Sequence, residues 1–354
     1  MIITQDLHYG FSGLFLLSAV LPFFKSDWWV IRVFDYPRLQ KFILLLIMFV
    51  TWFFVFQKPA WYDFVVLFLL GFSIAYLAAV IYPYTILGRK MIEQSEPSGT
   101  EKPLQLLVCN VFQDNQDYAR LVNLVNKKQP DVILLLETNK AWQEGISELR
   151  ETYPYRIEAP LENTYGLLFY SRLPVIYHEL NYLIDKEIPS VVADVEYNGQ
   201  VVRLYGLHPT PPVPQENPES TERDAEILLI GKMAKAYDKP CIVFGDLNDV
   251  AWSYTTSLFL KASGLLDPRR GRGMYSTFHA SHWLLRWPLD HYFLSGHFRL
   301  VNICIEESVG SDHFPISISL VLKNEDDSEK LDISHEEKME VQEKIEAGIE
   351  KGDV

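Results

Sequence analysis

The sequence of 354 residues predicts an α/β sandwich preceded by a helical membrane segment. The first 90 residues or so are dominated by aliphatic and aromatic side chains, which is typical of membrane spans. From Leu104 onward, apolar runs of strand length alternate with stretches of helical periodicity. Because strands outnumber long helices, we expect two packed sheets with helices on their outer faces.

Three apolar stretches predict about three transmembrane helices, at about residues 7–24, 42–57 and 64–84. The third lies in a run of 25 residues without an acidic or basic side chain, Phe64–Gly88. Lys41 and Lys58 flank the second and can extend to the membrane interface. The alternative for the first stretch is a secretory signal peptide, which the lack of a preceding basic residue disfavours.

Basic residues near the span ends predict the orientation. The connection after the first span contains four basic residues, Lys25, Arg32, Arg38 and Lys41. The connection after the second span contains only Lys58. With three spans, this puts the first connection and the C-terminal region on the cytoplasmic side of the cell (inner) membrane. We therefore expect a multi-pass membrane protein with a cytoplasmic catalytic domain.

The composition changes twice more along the chain. Residues 1–90 are the membrane domain, and residues 91–103 have turn and linker chemistry. Residues 104–323 form the large folded domain. Residues 324–354 contain 12 acidic and four basic residues, so this tail accounts for −8 of the chain's net charge of −14. The tail is predicted to be disordered or to form a short amphipathic helix, with apolar residues at four-residue spacing, Val341, Ile345 and Ile349.

The predicted strands of the large domain are short apolar runs. They read, in order, LQLLVCNV, VILLLE, GLLFYS, VVADVEY, VVRLYGLH, CIVFGD, HYFLS, LVNICIE and ISISLVL. Helical patterns cover residues 118–128 and 141–152, and one long helix covers about residues 221–237. Cys109, Cys241 and Cys304 all lie within strand runs, so we interpret them as buried apolar side chains rather than as disulfide partners or zinc ligands.

Polar residues cluster where strand runs end. Three such segments lie within about 70 residues of one another: FGDLND at Phe244–Asp249, LDHYFLS at Leu289–Ser295 and GSDHFPI at Gly310–Ile316. Asn110, Glu137 and His208 also end strand runs upstream. Acids, amides and imidazoles on a rigid scaffold indicate a metal-assisted site that handles phosphate esters.

The ordered series CNV, LLET, YGLLFYSRLP, LHPTPP, GDLND, LDHYFLS and GSDHFP resembles the endonuclease/exonuclease/phosphatase superfamily, which has the deoxyribonuclease I-like fold. The resemblance covers about residues 104–323. It implies a four-layer α/β sandwich and magnesium-dependent cleavage of phosphodiester or phosphomonoester bonds, with Mn²⁺ as a second candidate ion. The apolar spans and the HPTPP and RRGRG details further resemble a bacterial membrane-anchored subgroup.

The resemblance implies that Glu137 binds the metal, with Asn110 beside it and Asp312 facing the ion. A hard cation prefers such oxygen ligands and retains several waters. The alternative for Glu137 is a solvated acid at a strand end.

Asp246 and Asn248 are two residues apart, so an extended backbone directs both side chains to one face. They suit a water-activating acid and a phosphoryl-binding amide, and the alternative is an Asx turn. The family pairs a catalytic histidine with an aspartate, here His313 with Asp290, and supplies a second histidine, here His208. His291 resembles the pattern too, but strand alternation turns it away from Asp290, so we predict a structural role.

Two further assignments rest on residue type. Tyr165 is a candidate substrate contact, although tyrosines on strands more often pack. Arg269, Arg270 and Arg272 of PRRGRG are candidate phosphate-binding residues, with a solvated basic loop as the equal alternative. The neighbouring HASHWLLRWPLD segment could line a substrate pocket or contact the membrane surface.

The expected function is that of a membrane-anchored, metal-dependent hydrolase acting on phosphoesters. Nucleic acid is one candidate substrate, but a nuclease normally presents an extended basic surface, and this chain is acidic. Lipid headgroups or small phosphoesters, as in the sphingomyelinase and inositol-phosphatase branches, are the other candidate. A non-catalytic membrane adaptor is the third, and no protein partner is predicted.

Overall fold

The computed structural model describes residues 2–96, 102–323, 326 and 328–352. Three long N-terminal helices precede the large domain: α1 (Ile2–Val20), α3 (Arg38–Val55) and α4 (Trp61–Ile81), with the short α2 (Trp29–Arg32) after α1. By length and composition, three segments can each cross a bilayer, Thr4–Phe24, Arg38–Val55 and Trp61–Tyr84. These agree with the predicted spans to within a few residues.

The large domain contains two mixed sheets. One has six strands in the order β10-β11-β1-β2-β4-β3, and the other has five in the order β5-β6-β7-β8-β9. The strands are β1 (Leu104–Asn110), β2 (Val132–Leu136), β3 (Tyr155–Ala159), β4 (Leu167–Ser171), β5 (Val175–Asn181), β6 (Ser190–Tyr197), β7 (Gln200–Leu207), β8 (Cys241–Asp246), β9 (Asp290–Leu294), β10 (Phe298–Ile305) and β11 (Ile316–Leu322).

Helices cover both outer faces, so the domain has four layers. A continuous apolar core, which includes Val108, Leu134 and Phe244, fills the space between the sheets. The remaining helices are α5 (Tyr118–Lys128), α6 (Lys140–Gly145), α7 (Leu149–Thr152), α8 (Thr221–Tyr237), α9 (Tyr254–Ser263) and α10 (His335–Lys351). One outer core lies under α5 to α7 and the other under α8 to α10. The predicted four-layer α/β sandwich is confirmed.

The described part of the C-terminal tail takes the helical form of the two that the sequence left open. Helix α10 begins with a capping box in which Ser334 and Glu337 exchange side-chain-to-backbone hydrogen bonds. Its Val341 and Ile345 are buried in the apolar core that α8 and α9 share, whereas Ile349 remains exposed. The described part of the tail is therefore an integral helix, stabilised by the partner that the sequence could not identify.

The linker and the RRGRG loop connect the membrane helices to the sandwich. Glu93 and Ser95 bind Leu300 of β10 through the backbone, and residues 97–101 of the linker lie outside the described residues. The backbone N–H of Gly271 donates to the carbonyl of Pro83, just beyond α4. The end of the last membrane helix is thus attached directly to the large domain.

A set of charged residues also joins the two parts, and we call it the joint cluster: Asp27, Arg32, Arg223, Asp224 and Lys344. Its centre, Arg32, Arg223 and Asp224, is buried, and Asp27 and Lys344 are partly exposed at its edge. Arg32, from the connection between the first two spans, lies 2.5 Å from the carboxylate of Asp224. Arg223 bonds the other oxygen of Asp224 at 2.8 Å, and Lys344 of α10 contacts Asp27 at 3.0 Å. The first connection and the large domain therefore lie on the same side of the three apolar helices.

Candidate active site

Two pairs of parallel strands, one in each sheet, bring the predicted site residues together. Strands β1 and β2 are parallel, with Asn110 opposite Leu136, so Glu137 emerges beside Asn110. In the other sheet, β7 and β8 are parallel, so His208 and Asp246 follow at adjacent strand ends. The carboxyl ends of both pairs meet at one edge of the sandwich, where loops can carry function on a rigid base.

Two antiparallel neighbours complete the cluster. Asp290 begins β9 directly opposite Asp246 of β8. His313 precedes β11, whose residue Ile316 pairs with Val108 near the same end of β1. The predicted site residues, which span about 200 positions from Asn110 to His313, therefore meet because four strands end and two strands begin at one place.

Asn110 links the two sheets. Its side-chain N–H groups donate to Glu137 at 2.7 Å and to Asp246 at 3.1 Å. The side-chain oxygen of Asn110 accepts from the backbone N–H of Phe112 at 3.0 Å. An amide fixed in this way sets the separation of the two carboxylates, and both oxygens of Glu137 remain near the opening of the site.

Backbone conformation directs two of these side chains. Glu137 has φ 57° and Asn248 has φ 50°, so both occupy the left-handed region that side chains larger than glycine rarely adopt. Such residues concentrate at functional sites, because the surrounding structure must hold them in place. Gly245 of the GDLND segment has φ 144°, and a Cβ there would lie 2.0 Å from the carbonyl oxygen of Leu207. Only glycine lets β8 approach β7 so closely beside Asp246.

His313 lies between two carboxylates. Its Nδ1 is 2.8 Å from Asp290 and its Nε2 is 3.5 Å from Asp246. Burial lowers the pKa of His313, but the charges of Asp290 and Asp246 outweigh burial and raise it to about 10. The ring is therefore an imidazolium at neutral pH. Asp290 orients the His313 ring, and the second carboxylate oxygen of Asp290 has no hydrogen-bond partner among the described atoms.

His208 has the opposite character. It is buried, and its Nε2 lies 3.9 Å from Asp246. Burial lowers the pKa of His208, and the positive charge of His313 lowers it further against the effect of Asp246. Its Nδ1 has no partner among the described atoms. This ring is neutral at neutral pH, so the two histidines differ in protonation state within one site.

The carboxylates of the site carry more charge than their surroundings balance. Burial raises the pKa of Glu137 to about 7, and the charges of Asp246 and Asp312 contribute in the same direction. Burial also raises the pKa of Asp246, against the effect of His313. Among the described ion pairs, no lysine or arginine pairs with these acids. The excess negative charge makes this a suitable place for a cation.

The potential metal ligands fall into two sets. In the predicted set, burial and the charge of Asp312 raise the pKa of Glu137, whereas the side-chain oxygen of Asn110 accepts a hydrogen bond from Phe112. A second set, Asp246, Asp290 and His313, has potential ligand atoms within 4.8 Å of one another. In this second set, Nδ1 of His313 is already hydrogen-bonded to Asp290, so that nitrogen is not free to bind a metal ion.

Two of the residues singled out from the sequence lie outside the catalytic cluster, His291 and Tyr165. His291 is fully buried between Arg269, at 2.7 Å, and the carbonyl of Asp249, at 2.8 Å, and so it faces away from Asp290 as strand alternation requires. Tyr165 packs 5.5 Å from the His208 ring and donates its hydroxyl to Glu216. It therefore borders the site at its edge.

The three arginines of the RRGRG loop are not brought to the site, which corrects the expectation of a phosphate-binding role. Arg269 is buried and binds Asp267 through two hydrogen bonds of 2.9 and 2.7 Å. Arg270 lies over the ring of Tyr84, at the end of the last candidate span, and Arg272 binds the carbonyl of Ile92 at 2.6 Å. Arg270 and Arg272 therefore attach the end of the last apolar helix and the linker to the sandwich, whereas Arg269 binds within the sandwich itself.

Other residues near the site carried no sequence signal. Phe278 packs 4.9 Å from the His313 ring, and the backbone N–H of Gln113 donates to Glu137 at 3.4 Å. The carbonyl of Asn248 accepts from Tyr36 at 2.9 Å and from Arg223 at 2.6 Å. Each of these contacts depends on long-range folding, so no local motif could have predicted them.

Comparison with known proteins identifies the family. The model of the endonuclease/exonuclease/phosphatase family matches residues 107–313, which include every site residue from Asn110 to His313. The chain belongs to the endonuclease/exonuclease/phosphatase family. Members of this family are hydrolases of phosphoester bonds, and the chain is a hydrolase of this class. No curated protein sequence matches the chain.

Solved structures share this family fold at low sequence identity. D. rerio TDP2, complexed with a single-strand DNA product, has a TM-score of 0.53 and 18% identity, and the match covers 62% of this chain and 100% of that one. A family protein from Bacteroides vulgatus has a TM-score of 0.52 and 16% identity over 63% of this chain and 100% of its own. One from Beutenbergia cavernae has a TM-score of 0.52 and 15% identity over 63% and 72% of the two chains.

Proposed function

We propose that this protein is a membrane-anchored, magnesium-dependent phosphodiesterase that hydrolyses its substrate by in-line attack of water. The arrangement of Asp290, His313 and Asp246 carries the proposal, because it places a positively charged donor and a carboxylate side by side in a buried site. That pairing suits a reaction in which one group takes a proton while another stabilises charge on a phosphoryl oxygen.

Three residues would hold the cation: Asn110, Glu137 and Asp312. Burial raises the pKa of Glu137, so a bound cation would stabilise its carboxylate, and carboxylate and amide oxygens are the ligands that magnesium prefers. Manganese is a second candidate because it accepts the same oxygen ligands. When bound, the ion neutralises charge on the phosphate and polarises its oxygens.

The remaining side chains have separate roles in the proposed reaction. Asp246 accepts the proton of the attacking water. The side-chain amide of Asn248, held by the carbonyl of Pro209 at 2.9 Å, has a second N–H that can donate to a phosphoryl oxygen. His313, oriented by Asp290, donates to a phosphoryl oxygen as its charge develops. The neutral ring of His208 provides a further polar contact for the phosphate or leaving oxygen.

The three apolar helices support membrane anchoring. Their outer surfaces expose large apolar side chains, among them Phe54 and Phe68, which are 75% and 70% exposed. Contiguous apolar surface of this kind requires a lipid environment or a partner. We propose a multi-pass anchor, with the catalytic domain on the cytoplasmic side as the basic residues beside the spans indicate.

A non-catalytic adaptor with the same fold is the rival proposal. The energetic cost of the site argues against an adaptor. Buried carboxylates with raised pKa values destabilise the fold, so their presence indicates that a function requires them. An adaptor would have no use for an imidazolium held between two acids. The retained charge cluster therefore favours catalysis.

The test uses the full-length protein in detergent and a soluble chromogenic phosphodiester. We expect magnesium-dependent hydrolysis that is lost in His313→Asn, because asparagine cannot hold the positive charge. The matched control is His178→Asn, which changes an exposed histidine on β5 and should retain the wild-type rate. Absence of hydrolysis in the wild-type protein, or equal rates in His313→Asn, would contradict the proposal.

A further inference from the structure

A loop beside the active site presents an exposed apolar tip. Trp283, Leu284 and Leu285 are 77%, 58% and 48% exposed and are consecutive in sequence. We call Trp283–Leu285 the apolar tip. Exposure of three large apolar side chains at a loop end is unfavourable in water and is typical of a surface that contacts a membrane or another protein.

The position of the apolar tip identifies the bilayer as its partner. The carbonyl of Leu284 accepts a hydrogen bond of 2.7 Å from the side chain of Gln40. Gln40 lies in the first turn of α3, one of the three helices that can cross a membrane. The lipid-facing surface of that helix begins with Ile43, which is 47% exposed. The tip is therefore level with the end of a span, where tryptophan is favoured at the membrane interface.

The same loop is attached to the catalytic histidine. Below the tip, Phe278 and Trp287 pair through their backbones, and the Phe278 ring packs 4.9 Å from the ring of His313. The backbone N–H of Ala280 donates to the carbonyl of Asp312 at 2.6 Å. The loop that would contact the bilayer is thus one wall of the active site.

The opposite side of the site disfavours a nucleic acid. Beyond Tyr165 lies a cavity of about 610 Å³ whose lining includes five carboxylates, Glu162, Asp185, Glu187, Glu216 and Glu222. None of the described residues that line it is lysine or arginine. A polynucleotide strand that left the site on this side would meet like charges, whereas nucleic-acid-binding surfaces are basic.

We propose that the apolar tip inserts into the bilayer interface and that the active site hydrolyses phosphodiesters of lipid headgroups presented by the same bilayer. This inference rests on the proposed function, since it names the substrate class of the same site. The tip holds the site at the height of the headgroups, so a lipid phosphate can reach His313 and Asp246 without leaving the membrane.

The experiment compares two substrates in one preparation. The full-length protein is reconstituted into vesicles of phosphatidylcholine and phosphatidylglycerol, and release of headgroups is measured beside hydrolysis of a soluble chromogenic phosphodiester. Leu284→Asp should lower lipid hydrolysis by at least about tenfold, because aspartate is unfavourable in the membrane interface. Hydrolysis of the soluble diester should stay within about twofold of wild type, since the catalytic residues are unchanged. The matched control, Ile176→Asp, alters an exposed apolar residue of β5 and should change neither rate.

A second readout does not depend on activity. Vesicles that contain brominated lipids should quench part of the tryptophan fluorescence, and that part should be smaller in Trp283→Phe than in wild type, the remainder coming from tryptophans of the spans such as Trp61. Quenching by Trp283 without hydrolysis of either substrate would support the bilayer contact and overturn the proposed chemistry. Equal loss of both activities in Leu284→Asp, no loss of lipid hydrolysis, or faster cleavage of single-stranded DNA or RNA than of lipid would overturn the lipid assignment.

Discussion

The active-site cluster and the centre of the joint cluster are both buried and charged, but their charges are arranged differently. In the joint cluster, Arg32 and Arg223 hold the pKa of Asp224 well below its ordinary value, although burial alone would raise it. In the active site, burial raises the pKa values of Glu137 and Asp246, and no lysine or arginine among the described ion pairs offsets it.

This difference separates groups that stabilise the fold from groups available for chemistry. A carboxylate paired with two guanidinium groups is satisfied, so its removal exposes buried positive charge and destabilises the protein. A carboxylate with an elevated pKa is held at a cost to folding, so its removal relieves strain while abolishing its function. Variants in the two clusters should therefore have opposite effects on stability and on activity.

The largest expected effect is on catalysis, in Asp246→Asn. We expect hydrolysis of a soluble phosphodiester to fall about 10³-fold, the range typical for loss of a general base. The melting temperature, measured in the presence of a chelator, should stay the same or rise, because one buried negative charge is removed. Asp194→Asn is the control, since Asp194 is ion-paired with Arg203 at the end of β7 remote from the active site and should leave the rate unchanged. Retained activity together with a lower melting temperature would contradict the assignment.

The second effect is on stability, in Asp224→Asn. Breaking this buried pairing should lower the free energy of unfolding by about 3 kcal/mol, while the rate per folded molecule should fall far less than in Asp246→Asn. Because the pKa of Asp224 is lowered by folding, its contribution is full above the ordinary range of aspartate. The difference between variant and wild type should shrink as the pH falls below about 4. Denaturant unfolding in detergent at two pH values measures the loss of stability and its pH dependence. A difference between variant and wild type that does not change with pH would refute the charge assignment.

The third effect concerns the alkaline limb of the pH–rate profile. His313, with a pKa of about 10, should remain charged through neutral pH, so its donor function is lost as the pH rises through about 10. Its contribution to stability declines between pH 6.5, its ordinary pKa, and about 10. Asp290→Asn removes the main charge that raises this pKa. We expect its rate at pH 9 to fall about tenfold further below wild type than at pH 6. Parallel profiles for the two proteins would show that Asp290 does not set the charge of His313.

The smallest expected effect concerns the hydrogen bonds that connect the joint cluster to the active-site loop. Tyr36 and Arg223 both donate to the carbonyl of Asn248, so the membrane domain supports the catalytic loop. Tyr36→Phe should lower kcat about fivefold, consistent with loss of one hydrogen bond of about 1 kcal/mol, and leave KM unchanged. Tyr62→Phe, a change at the outer surface of α4, is the control. An unchanged kcat in Tyr36→Phe would show that the two clusters are independent.

Much of the fold was predictable because buried strands are continuous apolar runs. The residues of α5 and α8 match the predicted helical patterns, and the central strands match the predicted runs. Two strands were missed, β3 and β5, because each is at the edge of its sheet and mixes exposed polar residues with apolar ones. Helix α9 was also missed, because Tyr254, Thr255 and Thr256 give its first turn no helical pattern.

The active site was predictable where a motif carries the chemistry, and the surrounding contacts were not. Asp246, Asn248 and His313 lie in segments whose residue types indicate a phosphoesterase. The RRGRG arginines were misassigned because sequence shows positive charge but not its partners, here Asp267 and the carbonyl of Ile92. Those partners can be identified only from the tertiary fold. The same is true of the packing of α10 against α8.

The measurement that tests the central claim most directly is the melting temperature of the full-length protein during a magnesium titration. If the active site holds excess negative charge for a cation, magnesium should raise the melting temperature of wild type and have no such effect on Glu137→Gln. The surface variant Glu148→Gln should respond like wild type. If magnesium leaves wild type unchanged, or stabilises Glu137→Gln equally, the active-site acids are not a metal site and the account is wrong.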